Sequence, residues 1–375
     1  MAVLLVMLHH FIRSYDLQSS THEFFLHASE FMWSGVDLFF VLSGFLITGI
    51  LLDRLNGKHY FRNFYGRRIL RIFPLYYGVL FLAFIILPLV HIQTSSATQQ
   101  SAKYFLTFTS NIQFALSGWT YHAFDPYWSL AVEEQFYLLW PLLLFLIPRK
   151  YHLSVVMMCV IGGIALRAMC IHAGTSSVFL FTMLPCHADG LLIGGALAML
   201  VRSQTKLPIP GSWMSIALSA VVAMFFLSGS FHWFGLKLYY DAWNTRGALF
   251  YYPTIALGYG IILYLCITRS NPVRSFFNNT QLRAVGKYSY CLYLIHMPIT
   301  HLFHAGIQPI LLERLSNSLP AFAQELIQFM PLFLISFVCA AASWRFFERP
   351  LLRLKRYLPY SADESSQPTP VTAIA

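Results

Sequence analysis

Charge is what this sequence has least of. Asp, Glu, Lys and Arg make up 11% of its 375 residues, under half the share of about 25% usual in soluble domains. So few charged groups cannot cover a water-facing surface, which excludes a freely soluble globular domain. Disorder is excluded too, because 57% of the residues are hydrophobic and 17% aromatic, whereas unfolded chains are polar and charge-rich. Cysteine is sparse. Cys159, Cys170, Cys186, Cys266, Cys291 and Cys339 stand in or beside apolar runs with no Cys-x-x-Cys and no His-x-x-x-His spacing. Neither a disulfide framework nor a zinc site is supported, and the thiols read as small apolar packing groups. A signal peptide is disfavoured, since no basic region precedes the first apolar run and no small-residue cleavage site follows it. No internal repeat is visible.

What the sequence has is long apolar runs. A bilayer core takes about 20 apolar residues per helix, and such runs lie near 35–52, 69–90, 128–148, 153–172, 178–201, 213–228, 247–267, 288–306 and 326–344. With the opening run 1–12 they predict an all-α polytopic membrane protein of about ten transmembrane helices. The opening run reaches only about 18 Å at helical rise, so either its helix continues past Arg13 or Met1 is an internal start with residues missing upstream. Loop 91–127 combines a polar tract with an apolar-aromatic stretch, Lys103 to Leu116, read as a re-entrant or interfacial cap. One membrane domain is expected over 1–356, followed by a disordered cytoplasmic tail over 357–375.

The net charge of +10 raises nucleic acid as a partner, and the placement of the charges rejects it. Loops 53–68, 149–152, 202–212, 268–287 and 345–375 carry eighteen of the 25 Lys and Arg residues; the opposite side carries five, Arg13, Lys103, Lys237, Arg246 and Arg314. Excess Lys and Arg mark cytoplasmic loops, so both termini are expected in the cytoplasm and the lipid bilayer is the partner.

An ionisable group at mid-bilayer costs about 2.5–3.5 kcal/mol or more, which makes each one a functional candidate. The runs contain His10, Asp37, Glu133, Glu134, Asp189 and His296. The glutamates fall about 8 Å inside the outer end of their helix, and His10 sits in the outer half of its own. A carboxylate–imidazole cluster is the expectation, with imidazole as general base; the alternative is that these groups only tie helices together. His9, His301 and His304 are read as interfacial or structural. At the other face, Arg68 and Arg71 share a helix side. Arg71 lies deeper than positive-inside topology requires, and a guanidinium fork suits phosphate. A polyphosphorylated donor and anionic lipid headgroups both fit.

Ordered blocks carry a resemblance. A His-ended first helix is followed by GVDLFFVLSGFLIT (35–48), RRILRIFP (67–74), YWSLAVEEQFYLLWP (127–141), HADGLLIGG (187–195), GKYSYCLYLIHMP (286–298) and FERP (347–350). In these the chain closely resembles membrane-bound acyltransferase family 3, which includes bacterial O-antigen and exopolysaccharide O-acetyltransferases. The resemblance implies about ten helices in the bacterial inner membrane and transfer of an acyl group, commonly acetyl, from cytoplasmic acyl-CoA to a hydroxyl of a surface glycan or glycolipid. It matches His10 to the family's essential histidine, Arg68 and Arg71 to its donor-side basic motif, and Glu133 and Glu134 to its acidic motif. Two departures stand out. The family's first-helix arginine, eleven residues before the histidine, would fall upstream of Met1, and His187 stands where arginine is expected. No appended esterase-like domain is expected.

On this reading His10 takes the proton of the attacking alcohol. Glu134 or Glu133 orients it, and Asp37 is a weaker candidate for that role or for holding the acceptor. Trp128, Ser129 and Tyr293 offer N–H or O–H donors to the oxyanion or the sugar, with His296 and Asp189 as further substrate-binding candidates. Arg68 and Arg71 hold the CoA phosphates, and no metal is expected. The rival class is a secondary transporter of a polar or anionic solute, which would show internal repeats and correspondingly broken helices.

Overall fold

Backbone N–H and C=O groups in lipid must find partners inside the chain, and apolar runs meet that demand by coiling. The computed structural model describes residues 1–13, 29–90, 100–119, 122–203, 248–268, 272–308 and 321–359, with the single positions 219 and 310. Every regular element among these residues is helical. They are α1 (Ala2–Arg13), α2 (Gly35–Asp53), α3 (Tyr60–Phe81), α4 (Ala102–Leu106), α5 (Ser110–Ser117), α6 (Tyr127–Leu146), α7 (His152–His172), α8 (Ser177–Thr182), α9 (Asp189–Arg202), α10 (Ala248–Thr268), α11 (Pro272–Phe277), α12 (Thr280–Gly306) and α13 (Ala321–Ser343). Six described segments are long and apolar enough to cross a bilayer, Phe31–Asp53, Tyr60–Leu89, Tyr127–Leu146, Arg149–His172, Ala248–Ile267 and Phe329–Tyr357. The protein is an all-α polytopic membrane protein.

Several boundaries differ from those expected. The run 178–201 is not one span. It breaks between α8 and α9 at a short 3-10 turn, Leu184–Cys186, because Pro185 cannot supply a helical N–H and the polar pair His187 and Asp189 follows at once. α12 starts eight residues before the expected 288, at Thr280, where the Asn279 side chain accepts from Gln281 N–H at 2.8 Å and caps it. The expected run 213–228, apart from the single position 219, and the tail from residue 360 lie outside the described residues. The stretch read as a cap is two short helices, α4 and α5, packed against α3, α6 and α8. The carbonyls ending α4 accept from α3 hydroxyls, Phe105 O from Tyr76 at 2.8 Å and Leu106 O from Tyr77 at 2.9 Å.

Two devices set the packing. The most extensive helix contact joins α2 to α9 and depends on missing side chains. A Cβ on Gly44 would sit 2.0 Å from Leu191 O, and one on Gly194 would sit 2.1 Å from Val41 O. Small residues bring backbones together where lipid supplies no hydrophobic drive between helices. The second device is polar. Arg167 of α7, fully buried, donates to Asp189 Oδ2 at 2.6 Å, to Asp189 Oδ1 at 3.0 Å and to Cys186 O at 2.6 Å. The fork clamps α7 onto the turn that opens α9. Interior prolines in α3, α6, α10, α12 and α13 release carbonyls for use elsewhere. Pro298 leaves Leu294 O without its helical donor, and the Tyr127 hydroxyl supplies one at 3.1 Å.

Gly44→Ala is expected to destabilise the detergent-solubilised protein by about 1–3 kcal/mol, read as a fall in thermal midpoint. Gly162→Ala, where an added Cβ meets nothing within 4 Å, should leave the midpoint in place. Asp189→Ala should cost about 3–5 kcal/mol by stranding a buried guanidinium, and the pair Arg167→Met with Asp189→Leu should recover most of that. A double variant no more stable than Asp189→Ala would show that the clamp acts through something other than charge pairing.

Candidate active site

Side chains on one face of α6 recur at spacing four, Ser129, Glu133 and Tyr137, and on one face of α12 at spacing three, Tyr290, Tyr293 and His296. The two faces run side by side, and the groups expected from the sequence fall along them in order. At one end is an imidazole pair. His296 Nδ1 lies 2.7 Å from Tyr293 O and 3.2 Å from Leu292 O, so that nitrogen carries the proton and donates. Its Nε2 is then a lone-pair acceptor, and the Nδ1–H of His10 donates to it across 3.0 Å. This assignment puts the lone pair of His10 on Nε2. His296 is fully buried, whereas His10 is partly accessible. His9 is engaged separately, its Nδ1 3.0 Å from Ser29 O.

Next along the column, the Ser129 and Tyr293 hydroxyls lie within hydrogen-bonding distance of each other and of the Pro126 carbonyl, at 3.0 Å and 2.9 Å from it; with one proton each, one hydroxyl donates to the carbonyl and the other to its partner hydroxyl. The Phe39 ring stacks on Tyr293 at 6.2 Å. One turn further, Glu133 accepts from both Ser43 of α2 and Tyr137 of its own helix. It is buried at 4% exposure, so its charge is met by these two hydroxyls and by the nearby guanidinium groups of Arg68 and Arg71. Arg68 lies over the Tyr137 ring at 5.4 Å and near the Phe64 ring at 6.0 Å. Glu134 is within electrostatic reach of Glu133 and Arg68, and of Tyr76, Tyr77 and Tyr290. Arg71, Glu134 and Tyr290 lie among the helices and each keeps some accessible surface. From Ser129 to Tyr137 the column covers about 12 Å at helical rise.

The column therefore gathers His10, His296, Tyr293, Ser129, Glu133, Glu134, Arg68 and Arg71. The described hydrogen-bond partner of His10 is His296. Three other expected residues stand apart in a second cluster. Asp37 Oδ1 lies 2.9 Å from His187 Nε2, and His187 Nδ1 lies 2.6 Å from Phe181 O. The His187 ring stacks between Tyr252 at 4.1 Å and Trp128 at 5.6 Å. Asp189 belongs to the Arg167 clamp, and Arg167 itself lies 5.5 Å from the Tyr252 ring centre. The place where arginine was expected is thus filled by an imidazole that is the described ion-pair partner of Asp37.

The sequence reading had assigned no role to Ser43, Tyr137, Tyr290 or Arg167. Ser43 and Tyr137 lie inside two of the motif runs, and Tyr137 is four residues after Glu133, a spacing that was available as a signal. The partnership of Asp37 with His187, 150 residues away, has no local signal.

Comparison with known proteins agrees with this architecture. A family model described as "Acyltransferase domain" matches residues 1–345. The peptidoglycan O-acetyltransferase OatA of Listeria monocytogenes is 27% identical over 86% of this chain and 52% of its own length. The putative peptidoglycan O-acetyltransferase YrhL of Bacillus subtilis is 28% identical over 71% of this chain and 44% of its own. The O-acetyltransferase OatA of Staphylococcus aureus is 29% identical over 71% and 45%. The chain spans about half the length of these relatives. No solved structure matches it. With a family model covering nearly the whole helical body, this chain belongs to acyltransferase family 3.

Proposed function

We propose that this protein is an integral membrane O-acyltransferase that moves an acyl group, acetyl first among those to test, from acyl-CoA to a hydroxyl of a cell-envelope glycan or glycolipid. The observation that carries the reading is the polarity of the column. An oriented imidazole stands at one end and guanidinium groups at the other, with one acidic, hydroxyl-lined stretch between them. A phosphate-bearing donor and a hydroxyl acceptor make opposite demands of a site, and this column meets one at each end. The Lys and Arg asymmetry supports donor entry from the cytoplasm of a bacterial inner membrane. Acceptors to try are peptidoglycan, on which two of the relatives are named to act, then O-antigen and exopolysaccharide.

In this mechanism the acceptor hydroxyl gives its proton to His10 Nε2 as its oxygen attacks the thioester carbonyl carbon. His296 fixes the tautomer and takes part of the developing positive charge through the Nδ1–H bond. The tetrahedral oxyanion collapses, the C–S bond breaks, and the thiolate recovers the proton from His10, leaving an ester and CoA-SH. Arg68 and Arg71 hold donor phosphates. Glu133, with Ser43 and Tyr137, keeps the middle of the column ordered. Asp37 and Asp189 enter this scheme as supports of the α2–α9 packing, and Trp128 as a wall of the His187 cage.

Purified protein in nanodiscs, given acetyl-CoA and an acceptor glycan, should release free thiol only when the acceptor is present. His10→Ala should lower turnover by about 10²–10⁴-fold. His296→Leu should lower it by about 10²-fold, and His296→Gln, whose amide oxygen restores an acceptor near the Nε2 position, should recover part of the loss. Acceptor-dependent thiol release that is unchanged in His10→Ala would refute the base assignment. Absence of release with every glycan and glycolipid offered, together with wild-type glycans in cells lacking the gene, would refute the transferase reading.

A further inference from the structure

The carboxyl-terminal end of the described chain does not hang off the bundle. After α13 a π-turn, Trp344–Glu348, leads into Arg349–Leu352 and a 3-10 turn, Arg353–Tyr357, and this segment docks beneath the first turns of α3. Arg67 Nε donates to Leu358 O at 2.7 Å, and Asn63 Nδ2 donates to Pro359 O at 2.7 Å. The Leu358 side chain reaches so near Gly66 that a Cβ there would lie 2.7 Å from it. Leu358 N–H donates in turn to Lys355 O at 3.0 Å. Docking at Leu358 brings the Lys355 ammonium into electrostatic reach of Arg71, Arg68 and Arg67. Glu348, 8% exposed, is held by Ser343 Oγ at 3.1 Å and acts on Arg71 from the same segment.

At this end of the column four basic groups, Arg67, Arg68, Arg71 and Lys355, stand against three carboxyl groups, Glu133, Glu134 and Glu348. Among the described residues the ion pairs within 4 Å are Arg167–Asp189, His187–Asp37 and Arg202–Asp53, and none includes Arg68, Arg71 or Lys355. Cations gathered from distant parts of the chain repel one another unless an anion joins them. Excess charge on loops facing the cytoplasm needs no such convergence. Here a folded tail, fastened to Asn63, Gly66 and Arg67 of α3, brings an ammonium within electrostatic reach of the guanidinium groups of the same helix.

We propose that Lys355 is a donor-binding residue, the cation with which the docked carboxyl-terminal segment completes a polyphosphate cradle begun by Arg68 and Arg71. The chemistry recognised is a cluster of phosphates. This deepens the acyl-CoA reading and rests on it. A donor of that kind carries a pyrophosphate and a separate ribose phosphate, and two guanidinium forks on one helix match the first while a third cation from another segment matches the second. Lys355 is assigned to the ribose 3′-phosphate.

The test uses the full chain in nanodiscs of phosphatidylcholine, with titrations of CoA and of dephospho-CoA followed by calorimetry. Wild type should bind CoA about tenfold more tightly than dephospho-CoA, the worth of one charge-assisted contact. Lys355→Ala should weaken CoA binding by the same factor, leave dephospho-CoA binding unchanged and so abolish the difference. Lys355→Arg should retain the preference, and unchanged thermal midpoints would confirm that the variants are folded. Equal CoA affinity in wild type and Lys355→Ala would overturn the assignment of Lys355 while sparing the transferase reading. No binding of either nucleotide by wild type would overturn that reading and this assignment together. The same titrations in discs containing phosphatidylglycerol, with mass spectrometry of retained lipid, separate the two phosphate sources. Phosphatidylglycerol retention that is lost in Lys355→Ala while CoA affinity stays constant would make the cradle a headgroup site and overturn the donor assignment.

Discussion

Inside a bilayer no water is on hand to satisfy a polar group, and this one constraint organises the molecule. A charge placed among these helices must be met by another side chain, a released carbonyl or a ligand. Arg167 is met three times over by Asp189 and Cys186 O. Glu133 is met by two hydroxyls, and Leu294 O, stripped of its helical donor by Pro298, is met by Tyr127. Because each of these solutions joins different helices, polar satisfaction and tertiary architecture are the same problem here. The bundle is held in register by its polar groups and brought close by its glycines.

The two polar clusters solve that problem in opposite ways. Around Asp37, His187, Asp189 and Arg167 each positive group faces a carboxylate, all four side chains are buried, and aromatic rings close over the imidazole. Its charges face one another, while Asp37 Oδ2, Arg167 Nε and the Tyr252 hydroxyl are buried without a hydrogen-bond partner among the described residues. Along the α6–α12 column the groups are paired less completely. His10 and Glu134 keep accessible surface, and Arg68 and Arg71 stand without a carboxylate within ion-pair distance among the described residues. Chemistry belongs where charge is incompletely answered, since a ligand can then supply the remainder.

Much of this was legible in the chain before any coordinates. Low charge and long apolar runs implied helices in lipid, intramembrane rarity singled out His10, Glu133, Glu134 and His296, and a shared helix face suited to phosphate singled out Arg68 and Arg71. All six lie on the column. Asp37 and Asp189 were picked by the same rarity, and Trp128 as an N–H donor in a motif run; all three lie in the other cluster, because neither signal says which neighbour a side chain will meet. The break at Pro185 was missed because hydropathy averaged over a window does not register a single turn in which the backbone changes direction.

The amino-acid sequence by itself determined the class of structure, the approximate spans, the family and the short set of residues able to do chemistry, since those follow from local composition, helical period and motif. The tertiary structure decided the pairings: His10 with His296, Glu133 with Ser43 and Tyr137, Asp37 with His187, and the carboxyl-terminal segment with Asn63 and Arg67 of α3. The physical reason is range. A hydrogen bond or a desolvated charge acts over a few ångströms, so which partner it finds depends on how helices far apart in the chain are set against one another, and no local pattern encodes that.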